Sequence, residues 1–138
     1  MNGQDFLRIT NEAFVPFIKG LGFAMEEPSA SGRFYRVTFT GSDHVVSVTY
    51  EPGDHALFVR VFSRKNGELS DIDDRRETPR LTDLNSRHTA SITAEERAEN
   101  ERYFECVAAN DEEERLLLKA AKELRLVLPK YLGGVEGS

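Results

Sequence analysis

Between residues 33 and 62 apolar and polar positions alternate with period two in three successive runs. The first run sets Tyr35, Val37 and Phe39 on one face, the second Val46, Val48 and Tyr50, the third Leu57, Val59 and Val61. Neighbouring side chains of an extended chain point to opposite sides, so these positions make one apolar sheet face. Gly41-Ser42-Asp43 and Glu51-Pro52-Gly53-Asp54 separate the runs with residues that favour turns. The pattern predicts a three-stranded antiparallel meander. Asn66-Gly67, just beyond, is a turn signal that predicts a short fourth edge strand. The second face would carry Phe34, Arg36, Thr38, Val45, Ser47, Thr49, Phe58, Arg60 and Phe62. That mixture suits neither open water nor a dry core. C-terminal helices are expected to cover part of it, leaving Arg36 and Arg60 at the margin; the alternative is an exposed binding face.

Helical periodicity appears on both sides of this block. Phe6, Ile9, Ala13, Phe17 and Leu21 recur at intervals of three and four, predicting a helix over 5–21 with one buried face. Pro16 should kink it or force a restart, and Gly20 and Gly22 supply a stop. Residues 25–32 read as a polar connection and 70–80 as a charged surface loop, after which Leu81 and Leu84 allow a single helical turn. Thr93-Ala94-Glu95-Glu96 has capping-box spacing and predicts a helix to about residue 109. Asp111-Glu112-Glu113-Glu114 repeats the start signal ahead of a stripe of Leu117, Ala121, Leu124 and Leu128, with Pro129 expected to end it. Whether Asn110 divides two helices or lies inside one is left open by the pattern. The expected fold class is therefore α+β: an N-terminal helix, a three- to four-stranded antiparallel meander, one short helical turn, and one or two C-terminal helices packed on the sheet. One domain should span 1–132, followed by a flexible tail over 133–138.

Composition narrows the classes of function. The 138 residues include 18 basic and 24 acidic side chains, a net charge of −6, which repels a phosphate backbone and argues against nucleic acid. No apolar run approaches the roughly 18 residues of a membrane span. The lone Cys106 cannot form an internal disulfide, and the start of the chain is polar, so a cytoplasmic location is expected. His44 and His55 begin successive antiparallel strands and should stand ~20 Å apart, too far to share an ion. Asp71-Ile72-Asp73-Asp74-Arg75-Arg76 fails as a calcium loop, because arginines occupy the fifth and sixth places and Thr82 the twelfth. Cys106, beside Glu105 in a helix interior, reads as a packing residue and not a nucleophile. Neither a nucleophile elbow nor a glycine-rich phosphate loop is present. No catalytic, metal or cofactor residues are therefore assigned, and the chain is expected not to be an enzyme.

Charge is unevenly distributed. Between Thr93 and Glu114 nine acids face only Arg97 and Arg102, leaving that segment at −7 and the remainder at +1. Such a run is ordinarily the solvated side of a helix and its caps. It can also steer a basic macromolecule towards one side. On that reading Glu99, Asp111, Glu112 and Glu113 would meet a basic cleft, while Arg36, Phe58 and Arg60 offer a second candidate surface.

The order of parts carries a resemblance. A leading helix ending in Phe17-Ile18-Lys19-Gly20-Leu21-Gly22-Phe23 comes first, followed by Arg33-Phe34-Tyr35-Arg36-Val37. Val45-Val46-Ser47-Val48-Thr49-Tyr50-Glu51-Pro52, the strand over 57–62 and a late helix over 124–133 complete the series. This series resembles many small uncharacterised bacterial proteins, some of which look like the immunity proteins encoded beside polymorphic or contact-dependent toxins. A second likeness, in size, charge and element order, is to the acidic chaperones of type III secretion effectors. Both imply a domain that acts by binding a protein. The expectation is thus a non-enzymatic protein-binding domain, an immunity protein whose partner is a basic toxin domain. The alternatives are a secretion-chaperone-like protein, or a small-ligand binder with a pocket between sheet and helices that gathers Tyr35, Tyr50, His55, Arg36 and Arg60. A homodimer through the free edge strand is a further possibility.

Overall fold

The computed structural model describes residues 1–137, and all of their side chains except those of Ser31 and residues 134–137. The chain opens with helix α1 (Gly3–Ile9), a π-helical turn (Thr10–Phe14) and helix α2 (Val15–Gly20). Asn2 caps the start: its side chain accepts from the Asp5 N–H at 2.9 Å, and the Asp5 carboxylate accepts from the Asn2 N–H at 3.2 Å. Pro16 has no N–H and its ring crowds the carbonyl one turn back. The helix absorbs this by widening just before it, with the Val15 N–H donating to the Thr10 carbonyl. The expected restart is thus a π-bulge.

Strands β1 (Ala24–Met25) and β2 (Ser29–Ser31) both pair antiparallel with β3 (Phe34–Thr40), at opposite ends of it. These two strands lie in the stretch expected to be only a connection. They form through backbone pairing and need no apolar pattern, and Pro28 falls in the break between them. Strands β4 (His44–Glu51), β5 (Ala56–Lys65) and β6 (Glu68–Leu69) complete a sheet in the order β1-β3-β4-β5-β6, with β2 also on β3. Asn66 and Gly67, both at positive φ (54° and 80°), make the tight turn into β6. The nine apolar positions line up in three cross-strand rows: Tyr35, Tyr50 and Leu57; Val37, Val48 and Val59; Phe39, Val46 and Val61.

The C-terminal half holds α3 (Leu81–His88), a 3-10 turn (Thr89–Ser91), α4 (Ala94–Phe104) and α5 (Glu112–Gly137). Helix α3 is longer than the single turn expected. The chain leaves helix between Phe104 and Glu112, so there are two C-terminal helices here, and Cys106 is exposed in the break, where a packing role had been expected. Pro129 does not end α5. It sits exposed inside the helix, where the lost backbone donor is outweighed by packing on either side: Val127 and Leu128 are buried before it, and Tyr131 packs on the rings of His44 and His88 after it. Residues 133–137 continue α5, and Ser138 lies outside the described residues.

A single cluster forms the core. It joins Phe6, Ile9, Phe14, Phe17 and Ile18 of the N-terminal helices to the sheet's apolar face, to Leu81 and Leu84 of α3, Phe104 of α4, and Leu117, Leu124 and Leu128 of α5. Every helix thus covers the same face. None of the nine second-face residues from Phe34 to Phe62 belongs to this cluster, so the expected covering by the C-terminal helices does not occur. The physical reason is that the apolar stripes of α3 and α5 are used up on the nine-residue face. The first turn of α1 also rests on β2, where a Cβ on Gly3 would come within 2.1 Å of the Ala30 carbonyl oxygen. Truncating Phe39, fully buried on the apolar face, to alanine should cost about 3–5 kcal/mol in urea-induced unfolding. A loss below about 1 kcal/mol would contradict its place in the core.

Candidate functional site

The uncovered sheet face brings together the second set of sequence-predicted residues. Pairing places Arg36 beside Thr49 and Phe58 in one cross-strand row, and Thr38 beside Ser47 and Arg60 in the next. An isolated antiparallel bridge extends that second row from Arg60 to Arg80. Central strand β4 carries short side chains along most of this side, Val45, Ser47 and Thr49 being buried between the longer ones of its neighbours, with Glu51 at its end. The Arg36 Nε donates to Thr49 Oγ1 at 3.2 Å, and the Arg60 guanidinium lies 4.8 Å from the centroid of the Phe58 ring. Phe34 stands 47% exposed beside Arg36. The face therefore presents aromatic rings and guanidinium planes on a rigid β platform.

Its electrostatics are unusual for a chain of net charge −6. Arg36, Arg60 and Arg80 take part in no ion pair among the described residues, and the Nε atoms of Arg60 and Arg80 are buried without hydrogen-bond partners. Burial, followed by the neighbouring Arg80 and Arg36 charges, pushes the Arg60 pKa down. Like charges placed opposite one another on adjacent strands destabilise a sheet. Sequence periodicity put Arg36 and Arg60 on one face. It gave no sign of Arg80, which only the return of the chain after the 70–79 loop brings alongside.

The acidic residues have a different fate. Glu99 pairs with Arg125 at 3.4 Å, Glu101 with Lys122 at 2.9 Å and Glu96 with Lys130 at 3.2 Å, tying α4 to α5. Between these helices buried Asn100 donates to the Lys122 carbonyl and accepts from Arg125, whose guanidinium also stacks 3.9 Å from the Tyr103 ring. Asp111 caps α5 by accepting the Glu114 N–H at 2.8 Å, and Glu114, itself buried, pairs with Arg8. Glu113 accepts from the terminal ammonium of Met1 at 2.7 Å and from the buried Tyr50 hydroxyl. Glu112 is exposed without an ion pair among the described residues. Of the four acids singled out, Glu99, Asp111 and Glu113 are thus engaged in holding the fold, and Glu112 alone is free to face a partner.

Tyr35 and Tyr50 pack on the covered face, 6.3 Å between ring centroids, whereas Arg36 and Arg60 lie on the opposite one and His55 is exposed at a turn. The five residues envisaged for a ligand pocket are therefore not gathered into one cavity. A different groove, about 660 Å³, opens at the end of the sheet and is lined by His44, Arg64, Arg76, Glu77, Arg87 and Tyr131. Burial lowers the pKa of His44, and burial followed by Arg87 lowers that of His88. Among the described residues no group of three or more His, Cys, Asp or Glu side chains is placed to hold a metal, and no helix is long and apolar enough to cross a membrane.

Two outcomes follow from these placements. Replacing Arg60 by methionine should raise stability by ~0.2–1 kcal/mol in urea unfolding, because it removes a like charge from the row it shares with Arg80; a loss of stability would mean that the guanidinium makes compensating contacts. Glu113 has its pKa lowered, first by the terminal ammonium and then by Tyr50, from an ordinary value of 4.5. Its contribution to stability is present above pH 4.5 and fades as pH falls through the lower folded value. The Glu113→Gln variant should accordingly be less stable than wild type at pH 7 and converge with it towards pH 2; parallel curves throughout that range would refute the linkage. Comparisons with protein-family models, with curated proteins and with solved structures find no match to this chain.

Proposed function

We propose that this chain is a non-enzymatic protein-binding domain that presents its uncovered sheet face to a partner. The observation that carries the reading is the group formed by Arg36, Arg60, Arg80, Phe58 and Phe34. Its arginines form no ion pair among the described residues, Glu51 and Asp73 acting on Arg60 less than the like charges of Arg80 and Arg36 do, and its aromatic rings are left without a covering helix. Arginine and aromatic side chains are the residues that most often anchor protein interfaces. A cluster of guanidiniums costs stability in the free protein and repays it only when an anion arrives. The partner surface that fits this face is therefore acidic, in place of the basic toxin domain that the charge run over 93–114 had suggested; of the acids singled out in that run, Glu112 is the one left for a basic contact. The role is that of an immunity protein acting in the cytoplasm, as the resemblance of element order implies. An unpaired, exposed Cys106 is compatible with a reducing compartment.

A small-ligand reading has one observation in its favour, the groove of about 660 Å³ beside His44 and Tyr131, whose size suits a small molecule. Its lining mixes both signs of charge, since Asp43 and Glu77 stand among the arginines. The sheet face has the clearer chemical preference.

Co-purification with the product of the adjacent gene tests the protein-binding reading. Binding is expected at low salt, weakened at least about tenfold by the double substitution Arg36→Glu, Arg60→Glu and weakened little by Glu112→Gln. Absence of a complex at low salt, or indifference to the arginine reversal, removes the proposal.

A further inference from the structure

The uncovered face borders an unpaired edge of the sheet. The Val61 N–H donates away from β4 to the Pro79 carbonyl at 3.0 Å, and the Ser63 N–H to Ser70 Oγ at 3.0 Å. Backbone groups two residues apart on a strand point the same way, so the N–H and C=O of Leu57 and Val59 also point outward. Strand β6 occupies this edge only at Arg64 and Lys65, and Arg80 only at Arg60. Over residues 56–59 no strand pairs with it among the described residues.

Beside that free edge, on the helix side, lies an apolar groove of about 340 Å³ lined by Leu57, Val59, Leu81, Leu116 and Ala120, with Leu116 41% exposed. On the other side stands Arg60, while Phe58 and Arg80, at the rim between the two, also line the groove. A strand laid along the edge would send alternate side chains to these two places. One set enters the groove and the other meets the guanidiniums.

Resting on the protein-binding reading above, we propose that the partner contributes an extended segment that pairs with β5 at Leu57 and Val59. Its side chains alternate between apolar residues, seated in the groove, and carboxylates, which meet Arg60 and Arg80. Charge selects this occupant. Arg60 and Arg80 form no ion pair among the described residues, and their Nε atoms lack hydrogen-bond partners. The like charges of Arg80 and Arg36 weigh more on Arg60 than Glu51 and Asp73 do, whereas the helix wall of the groove carries one charge of each sign, Lys119 and Glu123. The loop over 70–79 and Arg80 limit the added strand to the first half of β5.

The test titrates isotopically labelled full-length protein with three synthetic octapeptides: alternating valine and glutamate, alternating valine and lysine, and the valine–glutamate peptide N-methylated at every second residue. The first should shift the Leu57 and Val59 amide resonances most, and affinity should fall by at least about tenfold for each of the other two. Arg60→Met should weaken the first peptide by at least about fivefold and should not weaken the lysine peptide, which loses a repulsive charge. Several results would overturn the inference: no binding of the first peptide, equal binding of the N-methylated one, equal binding of the lysine one, or resonance shifts at Arg36 and Thr49 without any at Leu57 and Val59. The last of these would leave the sheet-face reading standing and remove only the edge pairing. Sedimentation as a dimer, with the same two amides protected, would assign the edge to a second copy and overturn it also.

Discussion

The one-sided burial of the central sheet governs the rest of this molecule. Nine side chains from β3, β4 and β5 align in three cross-strand rows, and the register that aligns them cannot slip by one residue without turning all nine to the other side. Once that face exists it must be removed from water, and the apolar stripes of the helices are the material at hand. All of them go there: Phe6, Ile9 and Phe14 from the N-terminal end, Leu84 from α3, and Leu117, Leu124 and Leu128 from α5. No apolar stripe is left over for the opposite face, so it must be self-sufficient. It achieves this with short buried residues on β4 and long side chains on the flanking strands.

That division separates stabilising charge from available charge. The acidic excess over 93–114 looks like an exposed patch when read as a string. In three dimensions Glu96, Glu99 and Glu101 meet Lys130, Arg125 and Lys122, while Glu113 and Glu114 hold the amino terminus and Arg8. Each exposed pair contributes little alone. Together with Asn100 they set how α4 lies on α5. The arginines of the open face do the reverse: they crowd one another and form no ion pair among the described residues, an arrangement that disfavours the sheet holding them. A group kept at such a cost is a better guide to an interface than a run of carboxylates already in use.

Several elements could be read before any coordinates because their signals are local. The tight Asn66-Gly67 turn needs two residues that tolerate positive φ, and both are there. Thr93 and Glu96 cap α4 reciprocally, as their spacing requires. Pro16 announced a perturbation of the first helix, though whether kink, break or π-bulge depended on what the helix packs against. Strands β1 and β2 escaped notice because a strand of two or three residues has no period to display, and its pairing with β3 is a property of the partner's backbone. Pro129 misled for the opposite reason: its local penalty is real, yet packing of Leu128 and Tyr131 on either side carries α5 through it.

The candidate site divides the same way. Alternation alone put Arg36, Phe58 and Arg60 on one side of the ribbon, since the geometry of an extended chain leaves no choice. It could not say whether helices would lie over them, because a strand's two faces are equivalent until something else in the chain selects one. Nor could it bring Arg80 to the same row, because that contact joins residues separated by a charged loop with no periodicity. The sequence determined the ribbon, its apolar side and the caps of its helices, all fixed by interactions within a few residues. The tertiary structure decided which face stayed open, which acids were consumed as internal partners and where an edge was left unpaired, for these depend on how distant segments compete for the same surface.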